Sequence, residues 1–144
     1  MKNQVKIELQ SLSDNVGLAR MAAATFAAQG QFTLGEIDEI KVAISEAVSN
    51  AIIHGYTNEA GIVHLIMNLY EDRIEYIVID AGCGISDISA AREPSYSTDP
   101  ERMGLGFAFM ESFMDSLDVE SEVGKGTTVK MIKKISSGTA KQVS

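Results

Sequence analysis

Hydrophobic and polar positions along the chain change period several times, and each change marks an element. Residues 5–9 (VKIEL) alternate, which predicts a short strand. Cap-type residues at 11–15 (SLSDN) precede an alanine-rich stretch, 18–29, that predicts a helix stopped at Gly30. Thr33 and Glu36 then stand as a capping box, in which hydroxyl and carboxylate satisfy orphan N–H groups. They open a second helix expected to run to about Tyr56, with Gly55 as its end signal. Residues 62–70 and 73–81 have the β-branched and aromatic content of strands, and the Glu71-Asp72 break between them predicts an antiparallel hairpin. From Gly82 to Gly106 the chain holds four glycines, both prolines and little periodicity, the marks of a functional loop. A helix over 106–117, a strand pair over 118–122 and 127–135, and a frayed tail from 136 complete the series.

This order, β-α-α-β-β-loop-α-β-β, predicts an α+β fold. Its expected form is a two-layer sandwich of a mixed, mostly antiparallel sheet with the helices on one face. One domain over residues 1–136 is expected, followed by a flexible tail, 137–144; a chain of 144 residues that is 45% hydrophobic has enough apolar content for one core.

Taken at about 100° per residue, the second helix has an unusual cross-section. Ile37, Ile40, Ile44, Ala47, Val48 and Ala51 form one apolar stripe, and Asp38, Lys41, Ser45 and Ser49 form a solvated arc. Glu46, Asn50 and His54 fall on neither. They make a second polar row, set off from the arc by Val42 and Ile53. Alone, the row fits an ordinary solvated flank, since Glu39 lies near it and Glu and Asn at i,i+4 are common on helices.

Charge and cysteine content narrow the function classes. Twelve basic and 20 acidic residues give a formal charge of −8, which argues against a nucleic-acid partner. No apolar run reaches the ~18 residues of a membrane span and residues 1–10 have no signal-type apolar region, so a cytoplasmic protein without a membrane partner is expected. Cys83 is a lone cysteine, and His54 and His64 are too few for a structural zinc site.

Three glycine clusters follow the second helix. Asp80-Ala81-Gly82-Cys83-Gly84 ends an apolar strand, where an Asp can project into a pocket, although a β-turn would use the same residues. Gly104-Leu105-Gly106-Phe107 is expected at a helix entry, where free N–H groups suit a phosphate. Gly124-Lys125-Gly126-Thr127 starts a strand and reads equally as a hairpin turn. Neither a Rossmann fingerprint nor a P-loop fits: Gly84 is followed by no third glycine at the right offset, and Gly126 stands where a P-loop needs Ser or Thr.

The ordered set E-x-x-x-N, D-x-G-x-G, G-x-G-F and G-x-G-T resembles the N box and glycine boxes of the GHKL superfamily of ATPases and kinases, with its Bergerat ATP-binding fold. Within it the chain looks most like the small anti-sigma factor serine kinases, through residues 46–56, 91–94, 101–107 and 110–115. The resemblance implies ATP and ADP as nucleotides and Mg²⁺ as metal, with Asn50 as metal ligand and Glu46 as the base for the attacking hydroxyl. It further implies that Asp80 accepts from the adenine amino group, that Gly82 and Gly84 leave room for the base, and that Thr127 reaches adenine through water. Gly104, Leu105 and Gly106 would present amides to the phosphates, Arg102 would touch them from an ATP lid over about 92–103, and His54 would line the site. The lid is shorter than the family pattern, and Asp99 puts an acid where a base is expected. Implied partners are a sporulation sigma factor, held inactive, and an anti-anti-sigma factor phosphorylated on serine, with the kinase a homodimer and Arg20 a partner contact. An ATP-gated binding module without kinase activity is the alternative.

Overall fold

The computed structural model describes residues 1–56, 61–85, 88, 92 and 101–136, with 101–103 described by backbone alone. Of the expected lid, residues 93–100 and the side chains of 101–103, Arg102 among them, lie outside the described residues, as does the expected tail. The elements are β1 (Asn3–Gln10), α1 (Asn15–Ala27), α2 (Leu34–Asn50) with a π-helical turn at Ala51–Gly55, β2 (Ile62–Leu69), β3 (Arg73–Asp80), α3 (Glu101–Phe113), β4 (Ser116–Glu122) and β5 (Gly126–Lys134). Among the described residues no helix is long and apolar enough to cross a membrane.

The sheet runs β1-β2-β3-β5-β4 and every described pairing is antiparallel, in keeping with the mostly antiparallel sheet expected. Tyr70 N–H bonds to the Arg73 carbonyl at 2.9 Å, closing the expected two-residue hairpin. One face of the sheet, carrying Leu65, Met67, Ile74, Tyr76, Val78 and Met131, packs under the helices. From α2 it meets Ile40, Ile44 and Val48, and from α3 Phe107 and Met110, all buried. Each such side chain contributes about 1.5–3 kcal/mol on leaving water. The Tyr76 hydroxyl donates to the Ala23 carbonyl at 2.8 Å, so the largest core side chain also fastens α1 to the sheet.

The α2 start is as expected: Glu36 N–H bonds to Thr33 Oγ1 at 3.1 Å and Glu36 Oε1 accepts from Thr33 N–H at 2.8 Å. The third helix differs. It starts at Glu101 and ends at Phe113 rather than spanning 106–117, and β4 begins at Ser116 rather than 118. Ser116 and Leu117 pair with Ile132 and Met131, Asp115 N–H reaches the Ile132 carbonyl at 2.8 Å, and Leu117 packs on the core. Sheet pairing thus takes two residues that the local pattern assigned to the helix.

Lys133 fixes the C-terminal end of α3. It is 7% exposed, on the helix-facing side of β5, and its ammonium bonds to the Phe113 carbonyl and to Glu39 Oε1 of α2 at 3.2 Å. A cation there satisfies an orphan carbonyl and opposes the helix dipole. Lys133→Met, which keeps the stem packing, is expected to cost about 1–3 kcal/mol and lower Tm by several degrees in a thermal melt.

Candidate functional site

The second polar row of α2 faces inward. A Cβ placed on Gly106 would lie 3.0 Å from Glu46 Oε2 and 3.2 and 3.4 Å from the two amide atoms of Asn50. The bare backbone of α3 therefore covers both side chains, and any larger residue at 106 would press on them. Asn50 Nδ2 is buried and finds no hydrogen-bond partner among the described residues. An amide left unmet in this way is free to turn and offer its oxygen to a ligand. The amide oxygen of Asn50 is a hard ligand that fits Mg²⁺, an ion that takes one or two protein ligands and fills its shell from waters and phosphates, and the Glu46 carboxylate stands beside it.

A narrow cleft runs on from Asn50 between α2 and the sheet, reaching His54, Asp80, Gly84 and Thr127. Its walls are Ala47, Ala51, Val78, Ile85, Phe107 and Val129. The cleft is partly enclosed and lined mainly by apolar groups.

Asp80 closes the far end. It is 6% exposed, and burial holds its carboxyl above the ordinary aspartate range, an effect opposed by hydrogen bonds from the backbones of Gly82 and Thr127. Gly82 N–H reaches Asp80 Oδ1 at 2.9 Å. A carboxylate kept in such a place, with acceptor capacity left over, suits a ligand that donates hydrogen bonds.

The turn after Asp80 is stitched to the end of the α2 helix. Cys83 N–H bonds to the Gly55 carbonyl at 2.9 Å, Cys83 Sγ to the His54 carbonyl at 2.9 Å, and Ala81 N–H to the Tyr56 hydroxyl at 2.8 Å. This contact explains Gly82 differently from the expectation. A Cβ there would fall 1.9 Å from the Gly55 carbonyl oxygen, so the missing side chain makes room for protein backbone rather than for a base. Gly84 has φ +77° and would strike the Glu122 carbonyl; it lines the cleft, but its need for glycine is again backbone approach.

Beside Asp80, Thr127 occupies the directly opposite register position on β5. Its Oγ1 is 2.7 Å from Ser121 Oγ, which also accepts from Ile85 N–H at 2.7 Å and bonds to the Gly126 carbonyl at 3.0 Å.

The structure thus gathers Glu46, Asn50, His54, Asp80, Gly84, Gly106 and Thr127 around one cleft. Other expected residues stand elsewhere. Leu105 points to solvent, and Gly104 to Gly106 lie within α3 instead of at its entry. Leu105 and Gly106 fall past the four unsatisfied N–H groups of a first helical turn, so offering their amides to a phosphate requires that turn to unwind. Arg20 lies on α1, away from the cleft, with Nη1 3.2 Å from Ser45 Oγ of α2. The sequence reading missed Tyr56, Ser121 and the closeness of Gly55 to Asp80. Only Gly55 gave a signal, and it read as a helix stop.

A family model described as a histidine kinase-like ATPase domain matches residues 9–133. An anti-sigma F factor of Clostridium beijerinckii is 48% identical over 135 residues, covering 92% of this chain and 94% of that protein. An anti-sigma F factor of Geobacillus kaustophilus is 45% identical over 143 residues, with 97% and 98% covered. Among solved structures, the RsbU and RsbW domains of a Mycobacterium tuberculosis protein align with a TM-score of 0.66 at 21% identity, over 92% of this chain and 32% of that one. The histidine kinase domain of a blue-light activated kinase from Erythrobacter litoralis aligns with a TM-score of 0.59 at 18% identity, over 91% and 63%. The two solved structures share the fold.

Proposed function

This chain belongs to the histidine kinase-like ATPase domain family and, within it, to the anti-sigma F factors; from that premise we propose that it binds and inhibits a sporulation sigma factor and phosphorylates an anti-anti-sigma factor on serine. The observation that carries the reading is the convergence of Glu46 and Asn50 under Gly106, at one end of a cleft whose other end is the buried Asp80. A nucleotide laid along it has its base at Asp80 and its phosphates at Asn50.

In the proposed reaction the partner's serine oxygen attacks the γ-phosphorus of ATP. The new bond is serine oxygen to phosphorus, the broken one is that to the β,γ-bridging oxygen, and ADP leaves. Glu46 takes the serine proton, and Asn50 would hold Mg²⁺, which when bound neutralises phosphate charge. Asp80 and Thr127 orient the base, and the apolar walls exclude water that would otherwise compete with the serine. Gly104, Leu105 and Gly106, with Arg102, are assigned to the phosphates, through an unwound first turn of α3. His54 lines the cleft.

The kinase domain is placed over 1–136, acting in the cytoplasm. As a homodimer it would use the sheet face away from the helices, where Ile66, Ile77, Ile79 and Ile132 stand half-buried. Arg20 is assigned to the partner surface of α1. Incubation with Mg-ATP and an anti-anti-sigma factor should yield phosphoserine and ADP, and immobilised sigma factor should retain the chain with ATP better than with ADP. Nucleotide-dependent capture without any phosphoserine would instead make the chain an ATP-gated binding module.

A further inference from the structure

We propose that Ser121, outside the cleft, sets which nucleobase the cleft accepts, by fixing the direction of the hydrogen bond it shares with Thr127. The inference rests on the ATP-binding reading above and deepens it.

Ser121 Oγ has three neighbours: Ile85 N–H at 2.7 Å, the Gly126 carbonyl at 3.0 Å and Thr127 Oγ1 at 2.7 Å. A hydroxyl has one proton and two lone pairs. The Ile85 amide can only donate and the Gly126 carbonyl can only accept, so Ser121 spends one lone pair on the first and its proton on the second. One polarity then remains in which all three bonds are made at once: Thr127 donates its proton to Ser121. The rest of Thr127 Oγ1, with its lone pairs, is what the cleft sees.

Thr127 stands opposite Asp80 in the strand register, and both line the cleft. Two acceptors with no donor therefore face the incoming base together. An exocyclic amino group, with two N–H donors, matches that pair directly or through a water. A base with a carbonyl at the same position brings a third acceptor against them and leaves a buried polar group unmet, the kind of mismatch that sites reject strongly. Without Ser121 the Thr127 hydroxyl could turn and donate into the cleft. Ser121 touches no nucleotide in this scheme and acts as a positioning residue.

The test is titration of the full chain with Mg-ATP and Mg-GTP. Ser121→Ala is expected to bind ATP within about threefold of the parent while its preference for ATP over GTP narrows about three- to tenfold, the worth of one hydrogen bond. Thr127→Val should narrow the preference similarly, and the double variant should show no further narrowing, because one residue acts through the other. Ser121→Thr, which keeps a hydroxyl, should restore the parental preference and guards against a general folding defect. An unchanged preference in a folded Ser121→Ala chain, or fully additive effects in the double variant, overturns the inference alone. A parent that binds neither nucleotide overturns the ATP reading and this inference with it.

Discussion

Replacing Glu46 with Gln is expected to slow phosphoserine formation about 10²- to 10⁴-fold while Mg-ATP affinity stays within about threefold of the parent. The range is what a positioned general base supplies, and Gln keeps the size of Glu while losing the ability to take a proton. The side chain stands next to Asn50 and under the bare backbone of Gly106. Single-turnover transfer of labelled phosphate, run beside a nucleotide titration, separates the two effects. Transfer that persists at the parental rate would move the base elsewhere, and a parallel loss of ATP affinity would make Glu46 part of the binding shell instead.

Asp80→Asn should act on the other end of the cleft and in the opposite sense on fold and ligand. ATP affinity is expected to fall about ten- to a hundredfold, because a hydrogen bond to an ionised acceptor is exchanged for a neutral one. The nucleotide-free chain should melt no lower than the parent at neutral pH. Asp80 has its carboxyl pushed up by burial, so its folded-state pKa lies above its unfolded one. Its contribution to stability is then full below the unfolded pKa and is lost as pH rises through the folded pKa. At neutral pH the charge is a burden on the empty fold, one that the proposed adenine contact would offset. ATP binding has the reverse dependence and should weaken as acidification protonates Asp80, a pH dependence that Asp80→Asn removes. Thermal melts and ATP titrations of both chains from neutral pH into the acid range check both signs. A marked fall in the Tm of Asp80→Asn at neutral pH would show that the carboxylate supports the fold instead.

How far the sequence carried depended on the range of the forces involved. Periodicity exposed α2, its capping box and the hairpin at Glu71-Asp72, because those depend on neighbours a few residues away. It misplaced the end of α3, where pairing of Ser116 and Leu117 with β5, a partner beyond the local window, overrode the helical pattern. Glu46 and Asn50 were legible as a row on one helix, but its meaning came only with the downstream glycine boxes. The reason for Gly82 was not legible, since the atom it avoids belongs to Gly55, 27 positions earlier. Ser121 was silent for a similar cause: its importance lies in three hydrogen bonds fixed by register and turn geometry, and a serine in a polar strand carries no periodic signal.

The π-helical turn at Ala51–Gly55 bears on how this chain could be altered. A turn closed by i→i+5 bonds holds more residues than an α-helical one, which is the form that a one-residue insertion into a finished helix takes. Ile53, 45% exposed in that turn, is an apolar side chain left facing water. Deleting it would restore a regular ladder and hide a greasy surface, a change that any stability-guided redesign would favour. It would also wind Gly55 and Tyr56 away from Cys83 and Ala81, uncoupling the helix that bears Glu46 from the turn that bears Asp80. The irregular turn is therefore a length setting, and straightening it would trade nucleotide grip for a better helix.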